Sequence, residues 1–367
     1  MVPGPDGAHR PASVSLAVTN RCGNHCTRCY NAGRSQQDLP LPVLGRVAHQ
    51  LMDLGACSVA LTGGDPLLRE DLEDLCACFD ERAYLVVNLT GEGLTLDRAR
   101  RLKKAGVFTV SVSLDSELEL EHDELRGRPG AYRDAVRALS TAREAGLCPY
   151  VMTVLTRPLT ERRRLEALRE VARRAGAVEL RLLEPAAVGG MAGRRKGLMS
   201  GYLRRRVVKF EQDVARGDEL PIVSVASSQS RPEAFGCQAG VGHLYIDGSG
   251  EVCPCNFIPL SFGNVAAEPL DEILRRMGGC FPRPRQTCAA RQLARYVPPG
   301  PLPTSPEVSQ QLCAERLPPC EVLPGFCQLL ADAVGAAPQD IGTYRPVLTR
   351  PVPKATRASA DEAAPEA

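Results

Sequence analysis

The feature that most constrains the fold is an alternation repeated six times along the first half of the chain. A short apolar run bounded by turn residues is followed by a stretch whose apolar residues recur at helical spacing. The runs fall at 13–19 (SVSLAVT), 57–62 (CSVALT), 84–89 (YLVVNL), 107–114 (VFTVSVSL), 148–155 (CPYVMTVL) and 178–184 (VELRLLE). The intervening stretches, 41–54, 69–80, 95–105, 131–145 and 160–174, read as amphipathic helices; Leu94, Ala99, Leu102 and Ala105 share one face. Gly55, Gly106, Gly146 and Gly176 each stand where a helix is closed by a left-handed residue. Repeated strand–helix units build a parallel sheet. Six units are too few for a closed eight-stranded barrel. The predicted fold class is therefore α/β, a partial, open (β/α)6 TIM-like barrel over 13–197, with a smaller cysteine-bearing domain behind it.

Beyond about residue 198 the pattern changes. A basic stretch, YLRRRVVKFEQDVARG, reads as a linker helix within 198–230. The C-terminal domain is placed at 231–335 and contains a hairpin, HLYIDGSGEVCPC, turning at Asp247–Gly250. Residues 1–12 are predicted flexible, and the small, charged tail at 336–367 is predicted disordered. The 45 Lys and Arg nearly cancel the 43 Asp and Glu, so charge argues for neither nucleic acid nor an anionic membrane as partner. No apolar run approaches the roughly 18 residues of a membrane span. MVPGPDGAHRPA lacks the parts of a secretory signal, so a cytoplasmic enzyme is expected. In that compartment 15 cysteines point to metal ligation rather than disulfides.

The densest cysteine segment, TNRCGNHCTRCY, follows the first strand and spaces Cys22, Cys26 and Cys29 as C-x3-C-x2-C. Electron-transfer [4Fe–4S] sites use four cysteines, so three on one loop suggest an iron left open to a small molecule. A zinc loop completed by His25 or a remote cysteine is the alternative. With Tyr30 after the last cysteine, the segment resembles the defining motif of the radical S-adenosylmethionine (SAM) superfamily. The resemblance implies a [4Fe–4S] cluster on Cys22, Cys26 and Cys29 whose open iron chelates SAM. Reductive cleavage of SAM there yields methionine and a 5′-deoxyadenosyl radical that takes hydrogen from the substrate. LTGGDPLLR resembles the family's Gly-Gly-Glu-Pro motif at the SAM amino group, with Gly63 and Gly64 permitting close backbone approach and Asp65 where Glu is commoner. SVSLDS, with Ser113 and Asp115, resembles the segment near the SAM ribose and carboxylate. In HDELRGRPGAYRDAV, Arg126 is the candidate for the SAM carboxylate, with a solvated surface arginine as the alternative. LRLLEPAAVGG resembles the sixth strand and its loop, whereas VNLTGEGL departs from the usual Thr-Asn-Gly and puts a role for Asn88 in doubt. The resemblance spans roughly residues 12–190.

A second set, Cys237, Cys253, Cys255 and Cys288, lies in CQAGVGHLYIDGSGEVCPCNF, SFGNVAAEPLDEIL and TCAARQLARY. These segments resemble the family's SPASM or twitch extensions, which bind auxiliary iron–sulfur clusters. The full Cys-x2-Cys-x5-Cys-x3-Cys run is absent, so one auxiliary cluster is implied. Cys237, Cys255 and Cys288 are its first ligands, and the fourth is Cys253, Cys280 or one of Cys313, Cys320 and Cys327. A module without metal, its cysteines simply buried, is the alternative. Cys57, Cys76, Cys78 and Cys148 are expected as buried small hydrophobes. Asn256 stands where sulfatase-maturing relatives carry a basic Asp. Asp115, Glu184 and Tyr245 are further polar residues that could face the barrel mouth. The basic groups Arg194–Lys196 and Arg204–Arg206 suit an acidic peptide or phosphate, or simply a solvated face.

The resemblance thus implies a radical SAM oxidoreductase or maturase. It would abstract hydrogen from a peptide or a small natural-product or cofactor precursor, leading to oxidation, crosslinking, epimerisation or decarboxylation. An electron donor such as flavodoxin or ferredoxin is implied as partner. Only 21 residues precede Cys22, which tilts the expectation towards a small molecule or a peptide delivered by a partner. The other readings are a radical SAM methyltransferase and a non-catalytic iron–sulfur or zinc sensor or scaffold.

Overall fold

The computed structural model describes residues 10–333 except Arg195 and Glu321. The tail at 336–367, most of the segment 1–12 and Arg195 of the basic group lie outside the described residues. Nine strands form one sheet: β1 Ser13–Thr19, β2 Ser58–Gly63, β3 Tyr84–Leu89, β4 Val107–Ser113, β5 Cys148–Val154, β6 Glu179–Leu183, β7 Ile222–Val225, β8 His243–Ile246 and β9 Val252–Cys253. The helices are α1 Leu41–Asp53, α2 Leu72–Cys76, α3 Leu96–Lys104, α4 Glu119–Arg126, α5 Ala131–Glu144, α6 Arg162–Arg174, α7 Gly201–Val214, α8 Ala226–Gln229, α9 Leu270–Cys280, α10 Ala289–Leu293, α11 Pro306–Arg316 and α12 Gly325–Ala333.

The first six strands and the helices between them follow the sequence pattern to within a few residues. In β1 the residues Val14, Leu16 and Val18 are buried in the main core, while Ser13 and Ser15 alternate onto the opposite face. Gly55, Gly106, Gly146 and Gly176 all take positive φ at helix ends. The stretch expected as one helix at 69–80 is broken. Arg69 turns inward to donate to the carbonyls of Val18 and Leu39, at 3.0 and 2.9 Å, leaving a single short turn at Pro66–Leu68 and the brief α2. Helix α4 was not foreseen: its sequence is acidic with one buried residue, His122, so it lacks a periodic apolar stripe.

The sheet order is β7-β6-β5-β4-β3-β2-β1-β8-β9, parallel throughout except for the β8–β9 hairpin. The six expected strands therefore continue at both edges. β7, from the segment expected as linker, adds to β6 with Glu179 opposite Ile222. At the far edge β8 runs parallel to β1, with Ser13 opposite His243 and Leu16 opposite Ile246. This covers the free backbone groups that β1 would otherwise expose. Cys57, expected buried, is exposed, because it precedes β2 at the N-terminal rim and its thiol donates only to the Ala12 carbonyl. Cys76 is buried, and Cys78 and Cys148 are half-buried. No helix among the described residues is long and apolar enough to cross a membrane.

Candidate metal centre and cofactor site

The loop bearing Cys22, Cys26 and Cys29 leaves the C-terminal end of β1. It has almost no regular structure of its own, and its shape comes from backbone contacts with three neighbouring loops. After β2, Gly64 N donates to Thr19 O and Asp65 N to Arg21 O, both at 2.8 Å. After α4, the Arg126 carbonyl accepts from His25 N at 2.9 Å, and after β6, Gly190 N donates to Cys29 O at 2.8 Å. Glycine is required at these approaches. A Cβ on Gly64 would lie 1.9 Å from Arg21 O, on Gly127 2.5 Å from His25 O, and on Gly190 2.6 Å from Thr27 O.

The three thiols are half-buried. Burial pushes Cys22 up to about 11, against an N–H contact from Asn24 at 3.4 Å, and also raises Cys29. Cys22 and Cys29 are neutral thiols until a metal displaces their protons. Arg126 is not a solvated surface residue: its side chain is 12% exposed and packs behind the loop. Its Nη1 lies 3.9 Å from Cys26 Sγ, its Nη2 pairs with Asp115 Oδ2 at 2.9 Å, and its Nε is buried without a partner. Asp115 is fixed in turn, accepting from Val154 N at 2.7 Å through Oδ1. A largely shielded cation with one free N–H beside three thiols suits anionic thiolates and a ligand carboxylate. Among the described residues no three His, Cys, Asp or Glu side chains converge as one ion would require. A cubane, whose cysteines bind separate irons, needs no such convergence.

Tyr30 points its hydroxyl at Thr62 Oγ1, 3.3 Å away, and its ring meets Tyr245 and Phe257 edge-on at 6.0 Å. Asp65 is buried and acts as a brace. Oδ1 accepts from Leu67 N at 3.0 Å, and Oδ2 accepts from the Thr90 hydroxyl and amide, tying the β2 loop to the β3 loop. Ser113 is half-buried at the end of β4. Glu184, at the end of β6, is bridged by Arg204 and Arg291, so the basic group 204–206 partly serves to clamp the two halves of the molecule.

In the C-terminal half the cysteines separate into groups. Cys237 and Arg285 exchange backbone hydrogen bonds at 2.7 and 3.0 Å, which brings Cys237 against Cys288. The two thiols are close enough for each to shift the other, lowering Cys288 to about 6 and raising Cys237. Cys255, half-buried and pushed up to about 12 by desolvation, lies near enough to feel the charges of Cys288 and Cys253. Cys253 is elsewhere: its sulfur is 3.8 Å from Arg34 Nη1, in a small cluster with Ala17, Tyr245 and Tyr30. Cys280 meets Cys313, Cys320 caps the Pro284 carbonyl, and Cys327 meets Gln238. The structure thus sets Cys237 beside Cys288 and turns the Cys253 sulfur towards Arg34, with Cys255 in reach of both Cys288 and Cys253.

Arg34 escaped the sequence reading. It is 4% exposed, forms a 2.9 Å ion pair with the fully buried Asp247, and stacks 4.9 Å over the Tyr245 ring. A lone arginine in a polar run carries no local signal of burial. Asp247, at the hairpin turn, was the visible half of the pair.

Comparison with known proteins bears on the family and the fold. The radical SAM superfamily model matches residues 16–171, and the model of the iron–sulfur cluster-binding SPASM domain matches 237–280. The chain is 27% identical over 301 residues to the AdoMet-dependent heme synthase of Nitratidesulfovibrio vulgaris, covering 74% of this chain and 80% of that one. Among solved structures it resembles Streptococcus suis SuiB bound to precursor peptide SuiA, with TM-score 0.63 and 17% identity over 74% of this chain and 66% of that one. It also resembles anSMEcpe with bound AdoMet and the Cp18Cys peptide, with TM-score 0.57 and 16% identity over 89% and 99%. The radical SAM domain implies a [4Fe–4S] cluster and SAM, and the SPASM domain implies auxiliary iron–sulfur clusters.

Proposed function

The chain is a radical SAM enzyme with a SPASM-type iron–sulfur module, and on that premise we propose that it abstracts hydrogen from a peptide or a small natural-product or cofactor precursor held in the barrel. Cys22, Cys26 and Cys29 hold the SAM-binding cluster, and Cys237, Cys255 and Cys288 hold an auxiliary one. A cluster and SAM held there would supply radical chemistry, reductive cleavage of SAM, with the electron coming from a donor such as flavodoxin or ferredoxin. The chain's own residues orient and shield that chemistry. Arg126, aligned by Asp115, binds the SAM carboxylate through its free Nε–H. Gly63, Gly64 and Asp65 fix the loop height, and Tyr30 and Ser113 line the approach. Asp115 is a positioning residue, since both its oxygens are engaged.

The observation that carries the reading is the placement of that braced cysteine loop above a polar inner face of the sheet. There Ser13 meets His243 at 3.2 Å, His243 meets Asn256 at 3.1 Å, and Arg181 stacks 4.5 Å over Tyr150 while paired with Glu179. Burial keeps His243 neutral by lowering its pKa. An inner wall of hydrogen-bonding groups suits a polar substrate better than a hydrocarbon. Oxidation, crosslinking, epimerisation and decarboxylation all begin with the same hydrogen abstraction. The test is anaerobic turnover with methyl-labelled SAM and a strong reductant. The expected products are 5′-deoxyadenosine and methionine carrying all the label. Label in another product overturns hydrogen abstraction in favour of methyl transfer, and intact SAM overturns the catalytic reading.

A further inference from the structure

Helix α6 carries its charges in pairs. All six of its arginines, Arg162, Arg163, Arg164, Arg169, Arg173 and Arg174, lie within ion-pair distance of a carboxylate. The surface beside its N-terminus differs. Arg157 precedes α6, Arg194 and Lys196 lie between β6 and α7, and Arg205 and Arg206 stand in α7. None of the five has a carboxylate partner among the described residues, and all are exposed except the half-buried Arg206. The excess is local, since the whole chain has a formal net charge of only +2. Helix α7 packs against α6 and the 158–160 turn. Arg205 and Arg206 thereby share with Arg162 and Lys209 a groove of about 340 Å³, which Tyr202 also lines. Tyr202 is 62% exposed, with the Arg206 guanidinium 5.9 Å over its ring. The same segments reach the first cysteine loop. Arg28 donates to Leu155 O at 3.1 Å, just before Arg157. Gly190, just before Arg194, donates to Cys29 O at 2.8 Å. On the cysteine loop itself His25 and Thr27 are exposed, and its other flank, α4, is predominantly acidic.

We propose that this basic surface docks an acidic one-electron carrier protein beside the Cys22–Cys29 loop, an inference that rests on the radical SAM reading above. Reductive cleavage of SAM consumes one electron. The carrier loses that electron and is oxidised, and the electron enters the carbon–sulfur bond of SAM that breaks. A protein carrier delivers it from the surface nearest the site, and here that surface is cationic. Opposite charge on the two partners steers their encounter, an effect that weakens as salt rises. The arginines of α6 are neutralised by their own carboxylates, whereas these five keep their charge for a partner. Tyr202 adds an exposed aromatic of the kind enriched at the centre of protein interfaces.

The test compares two electron sources for the anaerobic holoenzyme: reduced flavodoxin, and photoreduced deazariboflavin, a small uncharged reductant. Arg205→Glu/Arg206→Glu is expected to lower flavodoxin-driven 5′-deoxyadenosine formation by about tenfold or more. Its deazariboflavin-driven rate and its iron content should be unchanged. Arg100→Glu/Lys104→Glu, exposed on α3, should alter neither rate. In the wild type the flavodoxin-driven rate should fall with added salt while the other stays level, which decides the matter even if a variant fails to fold. Binding is read apart from turnover by carbodiimide crosslinking to oxidised flavodoxin, which should join its carboxylates to Lys196 or Lys209. The docking surface alone is overturned by equal flavodoxin-driven rates in variant and wild type, by a salt-independent rate, or by crosslinks confined to other lysines. Cleavage with deazariboflavin and none with flavodoxin overturns it equally. No cleavage with either source overturns the radical SAM reading, and the proposal with it.

Discussion

The two cysteine regions are built in opposite ways. Cys22, Cys26 and Cys29 lie within one short loop, so their proximity is written in covalent spacing, and the rest of the barrel only adjusts the loop's height through Gly64, Gly127 and Gly190. Cys237, Cys255 and Cys288 come from separate segments, and a backbone bridge between Cys237 and Arg285 is what brings two of them together. A local site tolerates loosening of the fold; an assembled site exists only while its segments are docked. The difference teaches which structural damage each should survive.

The largest expected effect is selective loss of iron. Replacing Cys22, Cys26 and Cys29 by alanine should abolish 5′-deoxyadenosine formation and leave about four irons, those of one cubane. Replacing Cys237 and Cys288 by serine should leave about four irons and retain SAM cleavage. Iron and sulfide analysis with a cleavage assay checks both, and a triple variant without iron would break the comparison. Gly64→Ala comes next, because its Cβ meets the Arg21 carbonyl at 1.9 Å and the loop must shift. A cost of about 3 kcal/mol or more is expected. SAM cleavage should be lost while the C-terminal iron remains, as read by thermal melting and EPR. Arg126→Lys keeps the charge but loses the planar fork, and should weaken SAM binding by about tenfold or more at unchanged iron content.

A pH effect should separate the regions further. Burial and the nearby Arg126 lower His122 from 6.5 to about 4, and it packs under Asp115, whose N–H it accepts at 3.0 Å. The folded state resists a proton that the unfolded chain takes up, so stability is full above pH 6.5 and falls as pH drops towards 4. The loss is about 3 kcal/mol. His122→Gln should flatten that slope in chemical denaturation, and an unchanged slope would assign the acid sensitivity elsewhere. The smallest change is Asp65→Asn. Burial raises the pKa of this carboxyl, and Asn preserves the contact to Leu67 N while weakening that to Thr90, so a cost of about 1 kcal/mol is expected in the same assay.

The same contrast explains what was legible in the sequence. Period and capping glycines marked β1 to β6 because each unit is a local amphipathic pattern. The Cys22–Cys29 loop and the GG turn were legible for the same reason. β7 and the docking of β8 onto β1 were not, because four-residue strands carry little periodicity and their partners lie far away in the chain. Cys253 and Cys255 look equivalent two residues apart, yet only the packed structure shows the Cys253 sulfur turned to Arg34. The low exposure of Arg126 and the burial of Arg34 likewise depend on acids, Asp115 and Asp247, that tertiary contact alone pairs with them.

The seating of β8 beside β1 also sets an order in time. As the chain leaves the ribosome, β1 finds β2 after some forty residues, but its other neighbour emerges only with His243–Ile246. For most of synthesis the nascent barrel has one raw edge, and the first cysteine loop gains its last brace only when Gly190 follows β6. Domains fold largely as they emerge, N-terminal parts first. Under the proposed ligand assignment, the first site can therefore be completed once β6 and its loop are made, while the second must wait for Cys288.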